Sequence, residues 1–190
     1  MAKSPTSEVI KLKHVRLSFA DLYKAKAFDE NQEAKYKANL LLDPSNAENA
    51  AAIKVIREEA KKLLAQGGLE PSDVKLCFGK GDTKKYERYA GMVYLSASNS
   101  SRPTVVNRRR DPVAEGDHEA PYSGCYVNAS ITLWLQNNKW GKRVNANLRG
   151  VQFVKDGPAF GVAPVDAETE FEPLEEGETS PAAGGDDDWD

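Results

Sequence analysis

The sequence predicts a mainly β domain: a closed or nearly closed small barrel of five or six strands, with one principal α-helix over about residues 45–66 and a disordered acidic tail. Three observations predict it. Apolar residues recur with period two in several short segments, as side chains alternating across a half-buried sheet require. One segment carries the three- and four-residue spacing of a helix face. Beyond Pro164 the apolar periodicity ends, and Glu, Asp, Gly, Ser, Pro and Ala fill residues 166–188.

The elements follow in order. Residues 9–19 alternate apolar and basic, a half-buried strand with Lys11, Lys13 and Arg16 near its wet side. Residues 35–42 read as a second strand, broken by Asp43-Pro44 because proline donates no ladder hydrogen bond. Ser45 with Glu48 three residues on has the form of a capping box. Ile53, Ile56, Ala60, Leu63 and Leu64 then form an apolar stripe suited to packing on a sheet, and Gly67-Gly68 stops the helix. From Leu76 onward the pattern is β, with strands over 91–97 and 104–106. Over 124–136, Val127, Ala129, Ile131, Leu133 and Leu135 point one way, and Tyr126, Asn128, Ser130, Thr132 and Trp134 the other. Residues 137–141 form a hairpin turn into a last strand over 143–155.

The chain of 190 residues accommodates one domain, 1–165, and an appendage, 166–190. It has 26 basic and 29 acidic residues; eleven of the acids and none of the bases lie in 166–190, leaving 26 bases against 18 acids before it, a net of +8. A cationic body is joined to a polyanion. The polyanion buries too little apolar surface to offset its chain entropy, and so is expected to be disordered. Trp189 at its end reads as a docking element on a tether. No stretch approaches the roughly 18 apolar residues of a membrane span, and the N-terminus lacks a secretory apolar run. Cys77 and Cys125, like His14 and His118, are isolated, which predicts free thiols in a reducing compartment and no metal site.

Cations and aromatics concentrate together in residues 80–110: Lys80, Lys84, Lys85, Tyr86, Arg88, Tyr89, Tyr94, Arg102, Arg108, Arg109 and Arg110, opposed only by Asp82 and Glu87. Cations neutralise phosphates, and flat rings stack unpaired bases at on the order of 1–3 kcal/mol each. Their interleaving suits a single strand better than a duplex, whose bases are already stacked. A second cluster, Lys139, Trp140, Lys142 and Arg143 with Arg149, lies in and after the hairpin. Tyr86, Tyr89, Tyr94 and Trp140 are the candidate stacking rings; Trp134 could stack or cover the core. A solvated loop with core tyrosines is the bland alternative. Catalytic signatures are missing: Gly79–Lys85 lacks the phosphate-loop spacing, and no nucleophile elbow or His-Glu-x-x-His pair occurs. The sequence implies no catalytic residues and no cofactor.

The chain resembles the single-stranded-DNA-binding proteins of tailed bacteriophages. The resemblance spans most of its length, through residues 15–23 (VRLSFADLY), 35–43 (KYKANLLLD), 124–129 (GCYVNA), 150–153 (GVQF) and the closing Asp186-Asp187-Asp188-Trp189-Asp190. It implies an OB-fold whose groove binds single-stranded DNA in replication, recombination or repair, in the cytoplasm of an infected bacterial cell. It also implies an acidic tail that recruits replication or recombination proteins. Asp190 after Trp189 departs from tails that end on an aromatic or apolar residue, so the tail's general role is carried over and its docking geometry is not. Strand annealing, RNA binding, or a protein–protein adaptor working through the tail are the rival functions.

Overall fold

A computed structural model describes residues 4–27 and 29–161. In chain order its elements are β1 (Ile10–Lys26), β2 (Lys35–Leu42), α1 (Ala47–Gln66), β3 (Lys75–Leu76), β4 (Phe78–Lys80), β5 (Val93–Asn99), β6 (Thr104–Val106), β7 (Tyr126–Asn138) and β8 (Gly141–Lys155). Five strands close on themselves: β1 pairs with β2, β2 with β5, β5 with β8, β8 with β7, and β7 with β1. Every pairing in this ring is antiparallel except β5–β8, a short parallel seam with Ala97 opposite Ala146 and Ser98 opposite Asn147. The ring is the OB-like, mainly β architecture that was expected, with α1 as its principal helix. The short β3, β4 and β6 extend it at β8 and β5. β6 is the predicted 104–106 strand; β3 and β4, at two and three residues, are too short to reveal a period in sequence.

β1 is longer than the 9–19 segment predicted, because it is interrupted rather than ended. Its register shifts between Leu12 and Val15 against β7, and between Ser18 and Asp21 against β2. His14 and Phe19 lie at these shifts with φ of 52° and 47°. Such bulges bend a strand and break its alternation, so the first half of β1 pairs with β7 and the second with β2. The hairpin β7–β8 keeps the predicted alternation: Val127, Ala129, Ile131, Leu133 and Leu135 are buried, facing Val144, Ala146, Leu148, Val151 and Phe153. Leu12, Val15, Leu17, Leu40 and Leu95 complete the core. Trp134, on the other side of β7, is half-buried beside the N-terminal segment, where Ser7 N–H donates to the Leu133 carbonyl at 2.8 Å.

α1 buries Ile53, Ile56, Ala60, Leu63 and Leu64 as its spacing requires, packing on β1, β7 and β2. Its N-cap is Asn46, whose side chain accepts from the Asn49 N–H at 3.1 Å, and not Ser45. The Ser45 hydroxyl donates instead to Asp43 at 2.7 Å, and Glu48 pairs with His14 at 2.7 Å, so neither half of the expected capping box forms. Asn49 is buried and ties the helix start to β1 by donating to the Lys13 carbonyl at 2.8 Å. At the other end Gly68 takes φ of 62°, and the N–H groups of Gly68 and Leu69 return to the carbonyls of Ala65 and Leu64, a Schellman closure.

Candidate nucleic-acid interface

The alternation that sends Leu40, Leu95, Ala97, Val144 and Ala146 into the core turns their neighbours outward. On the outer face of β2, β5 and the start of β8 those neighbours line a groove of about 560 Å³. Asn39, Ser96, Ser98 and Asn145 give it a polar floor, and Lys37, Lys75, Lys84 and Arg143 its cations. Lys75 arrives because β3 lies parallel to β8, with Lys75 opposite Arg143. Tyr94 stands in the groove with the Lys84 Nζ 4.4 Å from its ring centre. Among the described residues Lys75, Lys84 and Arg143 have no carboxylate within ion-pair distance, while Lys37 shares Asp21 with Lys26. Cys77 is also in the wall; burial pushes its thiol up to about 12 and that of Cys125 to about 11, so both are protonated and unreactive near neutral pH.

From the groove a row of rings continues. Tyr94, Tyr89, Tyr86 and Phe19 follow one another at centroid separations of 6.4, 5.4 and 4.9 Å. The Arg88 guanidinium then lies 4.8, 5.1 and 4.7 Å from the centres of Phe19, Tyr86 and Phe160. Arg16 stacks on Phe160 at 4.3 Å and reaches Tyr126 at 5.6 Å, with Lys155 on the same Tyr126 ring at 4.7 Å. Residues 156–160 are held against the body: Arg16 donates to the carbonyls of Gly124 and Pro158 at 3.1 and 2.9 Å, and the Phe160 N–H donates to the Ser123 carbonyl at 3.0 Å. Cations and rings thus lie together in the groove and in the ring cluster next to it, the combination that tracks a phosphate backbone while stacking bases.

The predicted residues separate on this surface. Lys84, Tyr94 and Arg143 meet in the groove, and Tyr86 and Arg88 in the ring cluster. Tyr89 lies beneath both: it is fully buried, accepts from Asn39 Nδ2 at 2.9 Å and donates to Ser18 Oγ at 3.2 Å. Its ring therefore offers no face to a base. Lys80 lies apart from the groove, in a hollow with Asp82 and Arg57 of α1. Lys85, Arg102, Arg109 and Arg149 are exposed outside the groove. Arg108 is paired with Glu119, a bond that raises the arginine's pKa and lowers the carboxyl's. Arg110 is exposed beside Lys11 and Lys13 around a second hollow. Lys139 and Trp140 form the two-residue hairpin tip, Trp140 with 75% of its surface exposed, and Lys142 follows them. Asp186, Asp187, Asp188, Trp189 and Asp190 lie outside the described residues.

The structure adds Lys37, Asn39, Lys75, Arg16, Phe19, Phe160 and Tyr126. Lys37 and Asn39 occupy outward positions of β2 that strict alternation marks. Arg16 is on the wet side that the alternation predicted, Phe19 lies in a bulge that hides its facing, and Lys75 and Phe160 arrive through contacts distant in sequence.

A small OB-type ring with a cationic, aromatic groove across its second and third ring strands belongs to the class that uses this face for oligonucleotides or oligosaccharides. Comparison with known proteins narrows the class. The model of the family described as "Enterobacter phage Enc34, ssDNA-binding protein" matches residues 8–181, and the chain belongs to this family. It is 40% identical over 175 residues to protein p50 of Acyrthosiphon pisum secondary endosymbiont phage 1, covering 87% of this chain and 93% of that one. Its fold is similar to the single-stranded DNA-binding protein from bacteriophage Enc34 in complex with ssDNA, with a TM-score of 0.71 and 35% identity over 80% of this chain and 89% of that one. The C-terminally truncated Enc34 protein matches with a TM-score of 0.70 and 31% identity, over 84% and 99% of the two chains.

Proposed function

We propose that this protein binds single-stranded DNA without sequence preference during phage replication, recombination or repair, as a binding module and not an enzyme, in the cytoplasm of an infected bacterium. The observation that carries the reading is the groove itself, where Lys84 lies over the ring of Tyr94 between Lys37, Lys75 and Arg143. Phosphates and base faces occur in every strand, so such a surface binds irrespective of sequence. The likeness to the Enc34 protein seen with ssDNA supports the same reading.

The acidic segment 166–190 competes with DNA for the cationic surface, and Asp186–Asp190 with Trp189 recruits partner proteins once DNA has displaced it. Tethering gives such a segment an effective concentration on the order of millimolar, enough for a weak contact to lower apparent affinity. Fluorescence anisotropy with labelled oligo(dT) tests this, comparing the full chain with residues 1–165 across a salt series. Both are expected to bind, the shorter one more tightly, with the gap closing as salt rises. Absence of binding by either rejects the single-strand reading; equal affinities at low salt reject the competing tail.

A further inference from the structure

We propose that Phe19, Tyr86 and Arg88 form a nucleotide subsite, the two rings stacking a base and the Arg88 guanidinium taking a phosphate. It rests on the single-strand reading above and assigns a defined place to one nucleotide beyond the groove.

Phe19 has 41% of its surface exposed and a φ of 47°, in the bulge that interrupts β1. That conformation suits glycine or asparagine and strains a bulky aromatic. Folding alone gives no reason to place phenylalanine there, since the ring gains little burial in return. A bulge does re-aim a side chain, and here it brings Phe19 to Tyr86, itself 44% exposed, at 4.9 Å between centroids. Both rings are thus largely exposed and in contact with each other.

Arg88 supplies the second, independent sign. Its Nε is buried without a hydrogen-bond partner, while its guanidinium lies against Phe19, Tyr86 and Phe160. Stacking on rings satisfies the charge but leaves a buried donor unmatched. A phosphate is the acceptor a guanidinium fits best. To reach one, Arg88 turns out of the ring cluster, and the ring faces it leaves are open to a base. The buried Tyr89 packs against both Tyr86 and Tyr94, so the subsite adjoins the groove.

The test uses the full chain with Phe19→Gly, Phe19→Asn and Arg88→Met, titrated with oligo(dT) and with an abasic oligomer of equal length. Loss of one stacking ring is expected to weaken oligo(dT) binding by about tenfold and to leave abasic binding unchanged. Both Phe19 variants are expected to melt at or above the wild-type temperature, because both residues tolerate the left-handed backbone. Arg88→Met is expected to lower the slope of log affinity against log salt by about 0.7, one phosphate contact on a single strand. If wild type binds oligo(dT) but the Phe19 variants bind it equally well, or lose affinity equally for the abasic strand, the stacking subsite is wrong. An unchanged slope in Arg88→Met overturns the phosphate role. If wild type itself fails to bind oligo(dT), the single-strand reading falls and the subsite with it.

Discussion

Tyr89 sits among the cations and aromatics of residues 80–110, yet its ring is turned wholly into the protein. What it contributes is its hydroxyl, which joins Ser18 of β1 to Asn39 of β2 beneath the groove floor. Asn39 is further fixed by the Ser96 hydroxyl at 2.8 Å. Removing the Tyr89 hydroxyl leaves the Asn39 amide short of an acceptor and the buried Ser18 without its donor. Such a loss costs about 1–3 kcal/mol. Tyr89→Phe is therefore expected to lower the urea midpoint with an unchanged m-value, while oligo(dT) affinity shifts little. A large loss of affinity with unchanged stability would show that the hydroxyl serves DNA binding and not the fold.

At the scale of elements, the start of α1 shows how neighbouring polar residues divide their partners. Ser45 and Glu48 have the spacing of a capping box, but Asp43 captures the serine and His14 the glutamate. Asn46, one residue nearer the helix, is left to accept from the Asn49 N–H. Asn46→Ala is expected to cost about 1 kcal/mol of stability, the usual worth of an N-cap. Ser45→Ala should cost less, since its hydroxyl bond to Asp43 is exposed and caps nothing. Chemical denaturation of the two variants ranks them, and the reverse order would restore Ser45 as the cap. Spacing alone favoured Ser45, which has the capping-box glutamate; the ties of Ser45 to Asp43 and of Glu48 to His14 pass the cap to Asn46.

At the scale of the molecule, ring closure decides which of the many cations act together. Lys37 on β2, Lys75 on β3, Lys84 before β5 and Arg143 on β8 are scattered over the sequence and share one groove. Arg108 belongs to the densest run of arginines, yet its charge is committed to Glu119. Lys84→Ala and Arg143→Ala are each expected to lower the salt slope of oligo(dT) binding by about 0.7. Arg108→Ala is expected to leave the slope unchanged. A fall for Arg108 as large as for Lys84 would spread the interface beyond the groove.

The sequence by itself determined the β class, the one helix, the inward face of β7, and the opposition between a net +8 over residues 1–165 and a polyanionic end. These depend on alternation, helical spacing and composition, which act over a few residues and survive without knowledge of neighbours. Tertiary structure decided which residues share the candidate interface. The bulges at His14 and Phe19 reset the facing of β1, and the parallel seam between β5 and β8 placed Arg143 beside Tyr94. Burial turned Tyr89 from a candidate stacking ring into a support for the groove floor. A side chain's residue type is local, but what it faces depends on which distant strand lies next to it.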